Sequence, residues 1–223
     1  MATTEITVRG AYSAFLPPER GTVVATLGYE GPAMERVYEQ LTGDLARVRA
    51  SIEALHDPAA GPVTWWSAEQ VRTWSERPWN KDGKQLPLVH KARVGMEVKF
   101  SDFAVLGRWV GERVEDTPGL RVGTVRWALT EARRDALAKD ARTRAVRDAQ
   151  ERAQQYADAL GLGMVRPVAL ADAGMLGEGL APQGSGPVAY ARAGAGGGTP
   201  DLQLVPEDIE VAARVDARFV AGR

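Results

Sequence analysis

Cysteine is absent from all 223 residues, so no disulfide, thiolate metal site or cysteine nucleophile is available. Histidine occurs only at His56 and His90. Neither has a second ligand at H-x-x-x-H or H-x-E spacing, so both read as structural or surface residues. An excess of one charge is also missing. With 29 acidic and 28 basic residues, the chain generates no global field that would draw it to nucleic acid or an anionic membrane. No uninterrupted apolar run approaches the ~20 residues of a membrane span. The opening Met1-Ala-Thr-Thr-Glu-Ile has neither the basic nor the apolar region of an export signal, and a cytoplasmic location is expected.

Catalytic signatures are equally scarce. There is no G-x-S-x-G elbow, and the serines have no partner pattern that would support hydrolysis. The glycine run Gly194–Gly198 is not followed by Gly-Lys-Ser or Gly-Lys-Thr, so it reads as a linker and not a phosphate loop. Glu115-Asp116 and Glu207-Asp208 lie beside prolines in turns, where carboxylates act as solvated caps. No catalytic, cofactor-binding or metal-ligating residue is identified, and a non-enzymatic protein is expected.

What is present is an ordinary globular composition, 44% hydrophobic and 26% charged, at a length that buries about 70% of the unfolded surface. Ile6–Gly10 and Thr22–Tyr29 are β-rich and flank Pro17, Pro18 and Gly21, which reads as a hairpin. Apolar residues at three- and four-residue spacing from Met34 to Leu55 predict a helix over 33–55. Val63–Thr73 and Val89–Phe100 predict strands about a polar turn at Trp79–Lys84, a second hairpin. Ser101-Asp102 offers N-cap oxygens to a short helix through Val114, and Leu120–Leu129 alternates as a half-buried strand. The order to this point is ββαββαβ.

Thr130 then caps a predicted helix over Glu131–Leu160, about 45 Å long. Ala141, Ala145, Ala149, Ala153 and Ala157 fall on one row of it, which allows close backbone approach to whatever lies opposite. Gly161 and Gly163 stop the helix, and Met164–Leu170 predicts a strand. Gly, Ala, Pro and Ser dominate from Asp172 to Pro200, so a flexible loop at about 172–203 is expected. Ile209, Val211, Ala213, Val215, Ala217 and Phe219 share one parity, a last strand with a single apolar face. The fold class is α+β: an antiparallel or mixed sheet of about seven strands carrying two or three helices, one long and Ala-rich. A single domain over 1–223 is expected, with one sheet or two left open.

The densest unusual feature is Trp65, Trp66, Trp74 and Trp79, four indoles within fifteen residues. Adjacent Trp65 and Trp66 must face opposite sides of a strand, so one of them fits core packing, the preferred reading. The alternative is an interaction surface of Trp65, Trp66, Arg72, Trp74, Arg77 and Trp79, in which the arginines stack on the rings.

Ile6-Thr-Val-Arg-Gly followed by Pro18-Glu-Arg-Gly-Thr-Val-Val-Ala-Thr-Leu-Gly-Tyr-Glu-Gly resembles the opening of SIMPL-domain proteins. Glu131–Leu162 leading into Val165-Arg-Pro-Val-Ala-Leu-Ala-Asp resembles that family's long Ala/Arg-rich helix and next strand. Pro206-Glu-Asp-Ile-Glu-Val-Ala-Ala-Arg-Val-Asp-Ala-Arg-Phe is similar to its final strand. The family includes a kinase-associated signalling molecule and a bacterial periplasmic immunogenic protein that assembles into a ring. The resemblance implies a SIMPL-like fold and a self-assembling or protein-interaction role, with no active site to carry over. The Trp-rich middle departs from the family's pattern. The expected partners are further copies of the chain or another protein, without nucleic acid, membrane span or cofactor. The rival reading is a small-molecule-binding protein or unrecognised enzyme using residues 65–79, with residues 172–200 as a lid.

Overall fold

A computed structural model describes residues 3–79, 81, 85–176 and 205–222. In chain order its elements are β1 (Thr3–Leu16), β2 (Arg20–Gly31), α1 (Met34–Glu53), β3 (Val63–Ala68), β4 (Arg72–Glu76), β5 (Val89–Phe100), α2 (Phe103–Asp116), β6 (Leu120–Ala128), α3 (Glu131–Ala159), β7 (Arg166–Asp172) and β8 (Ile209–Gly222). The class is α+β, and the strands form two antiparallel sheets. The elements fall into two compact units, one of β1, α3, β7 and β8, the other of β2–β6, α1 and α2.

In the first unit the strand order is β1-β8-β7. Ile6 pairs with Phe219, Val8 with Ala217 and Gly10 with Val215, so the alternating residues of both strands share one apolar face. Helix α3 lies on that face across β1 and β8. Its row of alanines, Ala141 to Ala157, is buried. The approach is close enough that a Cβ on Gly10 would stand 2.0 Å from the Ala145 carbonyl oxygen and 2.7 Å from the Ala149 nitrogen. Only paired small residues allow a helix backbone to sit this near a strand. Asp148 accepts a hydrogen bond from the Ala11 N–H at 2.8 Å, and Arg144 stacks 4.9 Å from the centre of the Tyr12 ring. Thr130 caps the helix through the Arg133 N–H, and Gly161 ends it at φ 65°, a conformation that favours glycine.

The second unit has the order β3-β5-β2-β6, with β4 also pairing β5. Ala92, Val94, Met96, Val98 and Phe100 of β5 and Val23, Ala25 and Leu27 of β2 form its core with α1 and α2. Asp102 caps α2, accepting from the Ala104 and Val105 N–H groups at 2.9 and 3.0 Å. Burial raises the Asp44 carboxyl, but hydrogen bonds from Tyr29 and Arg47, with the Arg47 charge, outweigh it and hold it below the usual carboxylate range. The Tyr29 hydroxyl also accepts the Gly119 N–H at 3.0 Å, joining β2, α1 and the turn before β6.

Two expectations need correction. The segments on either side of Pro17-Pro18 are not a hairpin: β1 pairs β8, whereas β2 pairs β5 and β6. The prolines donate no ladder hydrogen bonds and mark a crossing between sheets. The strand expected over 63–73 is two, interrupted at Glu69–Val71, where the Glu69 N–H still donates to the Gly95 carbonyl at 2.8 Å. Both short strands pair with β5, whose twelve residues are long enough for two partners in line. Whether there is one sheet or two is answered in favour of two. The flexible loop expected at about 172–203 lies outside the described residues from 177 onward.

Candidate functional site

Strand β5 organises the candidate site. From Ala92 to Phe100 its even-numbered residues face the helices, so Lys91, Arg93, Gly95, Glu97 and Lys99 line the opposite, open face. Register places Trp65 beside Lys99, Arg72 beside Arg93 and Trp74 beside Lys91. Trp65, Arg72 and Trp74 therefore share the open face, whereas Trp66 points to the helices and packs on the core. Opposite orientation of Trp65 and Trp66 is what a strand imposes, and the half-buried Trp66 is the one that packs against the core.

The rings do not form one platform. Trp65 is 43% exposed with the Lys99 ammonium 5.1 Å from its centre, and Trp66 stacks with Arg49 of α1 at 5.4 Å. The cations on these indoles thus come from β5 and α1 and not from Arg72 or Arg77. Arg77 instead donates to the Leu86 carbonyl at 2.9 Å, bracing the β4–β5 connection. Trp79 stands in that connection, 85% exposed. These side chains are spread along the strand edge, and only Arg72 and Trp74 enter a common depression.

That depression holds about 550 Å³ and is lined by β2, β3, β4, β5 and Glu69. Gly95 forms part of its floor, and the Glu69 carboxyl lies over it so closely that a Cβ there would come within 2.9 Å. Arg93 donates to the Thr26 hydroxyl at 3.2 Å. Glu97 is engaged by Arg126, and Lys91 pairs with Glu76 at 2.6 Å and Glu30 at 3.3 Å. The Lys91 hydrogen bond and charge hold the Glu76 carboxyl below its usual range. Sequence patterning identifies Trp74 and Arg72 but not Arg93 or Thr26, which come from distant segments and meet through strand register, nor Glu69, which sits in the break between β3 and β4.

Of the two histidines, His90 shares a 2.7 Å hydrogen bond with Ser75. Among the described residues no group of three or more His, Asp or Glu is arranged to hold a metal, and no helix is long and apolar enough to cross a membrane.

Among solved structures, the chain is similar to one described as "X-ray crystal structure of a putative amidohydrolase/peptidase from Burkholderia cenocepacia", at 16% identity and a TM-score of 0.27, over 67% of this chain and 35% of that one. This chain thus spans about a third of that molecule, and the likeness carries no argument about fold or activity. No curated protein matches. The family model SIMPL, described as a protein of unknown function (DUF541), matches residues 6–219, from within β1 to within β8, and the chain belongs to that family.

Proposed function

We propose that the chain is a non-enzymatic module that assembles with further copies of itself through the edge of its three-stranded sheet. The observation that carries this reading is β7. It is the outer strand of the order β1-β8-β7, and among the described residues no strand pairs with its far side. Val168 and Leu170 on it are each 57% exposed. An edge with apolar side chains is a template for strand addition, which monomeric proteins usually blunt with charge or bulges. Pro167 and the bulge that follows it blunt only the start of the strand. Met164 before it and Met175 after it are 80% and 77% exposed, extending the apolar surface beyond what a seven-residue edge supplies.

Light scattering coupled to size exclusion tests this on the full chain. A stable multiple of the 24.0 kDa chain mass is expected, and V168K/L170K should shift it toward the single-chain mass while circular dichroism stays unchanged. A monomer at all concentrations up to the hundred-micromolar range overturns the reading, as does an oligomer indifferent to both lysines.

A further inference from the structure

Arg72 and Arg93 are register partners on β4 and β5, so their side chains leave the sheet next to each other. Like charges placed directly opposite on neighbouring strands are destabilising. Three neighbouring carboxylates are engaged elsewhere: Glu97 by Arg126, and Glu76 and Glu30 by Lys91. Among the described residues neither guanidinium has a carboxylate within ion-pair distance, and the polar contact Arg93 makes is with Thr26. Glu69 has no ion pair among the described residues either, its carboxyl lying over Gly95 in the same depression. Trp74, 39% exposed, completes the lining. The volume of about 550 Å³ is that of a small-molecule site.

We propose that this depression binds a small aromatic carboxylate that carries a hydrogen-bond donor. The carboxylate bridges Arg72 and Arg93, whose planar forks match it. The ring lies against the Trp74 indole, and the donor group reaches Glu69. A single negative charge is selected, because the Glu69 carboxylate repels a second one. The ligand neutralises the arginine pair, turning a repulsive contact of the free protein into a source of affinity. This site is independent of the β7 edge.

The test is ¹⁵N–¹H NMR of the full chain, following the Trp74 indole N–H, assigned with Trp74→Phe, during titration with 4-aminobenzoate, benzoate, cyclohexanecarboxylate and inorganic phosphate. Saturable shifts with 4-aminobenzoate are expected, with weaker binding of benzoate and weaker still of cyclohexanecarboxylate. Arg72→Gln and Arg93→Gln should each weaken 4-aminobenzoate about tenfold or more, the loss of a charge-assisted hydrogen bond. Glu69→Gln should narrow the preference over benzoate. Arg72→Gln should leave the urea midpoint unchanged or higher, since it removes a like-charge contact, which separates a lost site from a lost fold. No saturation by about 10 mM 4-aminobenzoate, phosphate binding as tightly as the aromatics, or indifference to both arginine variants would each overturn the proposal.

Discussion

Asp216 is a buried carboxylate on β8, and its partners determine how the first unit responds to acid. Arg9 grips it with two hydrogen bonds, at 2.6 and 3.0 Å, and the Gly174 N–H adds a third at 2.6 Å. The Arg9 hydrogen bond, chiefly, holds the carboxyl below its usual range, with help from Gly174 and against the opposing effect of burial. A carboxyl with a lower pKa when folded stabilises the fold above its unfolded value, about 3.9, and loses that contribution as pH falls through the folded value. Asp216→Asn should lower the urea midpoint at pH 7 and reduce its fall between pH 5 and pH 2, measured by equilibrium unfolding. Tyr29 offers a second residue-scale case. Tyr29→Phe removes the donor to Asp44 and strands the Gly119 N–H, and should cost about 1–3 kcal/mol in the same assay.

Glycine-to-alanine substitutions have opposite signs depending on which element surrounds them. Gly43 lies on the exposed side of α1 with open space where a Cβ would go, so Gly43→Ala should stabilise by about 0.5–1 kcal/mol through helix propensity. Gly10→Ala on β1 would drive a methyl into the backbone of α3 at Ala145 and should cost about 1–3 kcal/mol or more, an overpacking penalty. Thermal unfolding of the two variants side by side checks both signs. The alanine row is legible in the sequence because its four-residue spacing is local, and so is the single-parity face of β8. The partner across the gap is not: Gly10 reads as a strand end beside a turn, and nothing near it says that residues 145–149 will cover it. Pairing of β1 with β2 is the natural local reading, and it fails because strand register is decided by partners about two hundred positions away.

For the molecule as a whole, helix and strand types were readable from periodicity, whereas the grouping into two sheets was not, since both sheets use the same alternation and similar residues. The candidate site divides the same way. Trp74 and Arg72 stand out by composition, but Arg93 looks like any polar residue on an alternating strand until register sets it opposite Arg72. The pairing of β1 with β8 also fixes an order of events during synthesis. Leu16 faces Ile209 and Thr3 faces Gly222, so β1 waits for at least 193 further residues (209 − 16) before its partner emerges. At roughly 5–20 residues per second that is about 10–40 seconds, during which β2–β6 with α1 and α2 already have all their described partners available. A ribosome stalled after residue 175, with β6 clear of the exit tunnel, should therefore hold a protease-resistant second unit and a protease-sensitive β1, whose apolar face, bearing Ile6 and Val8, has neither β8 nor a sheet to lie in and is a natural target for a chaperone at the tunnel exit.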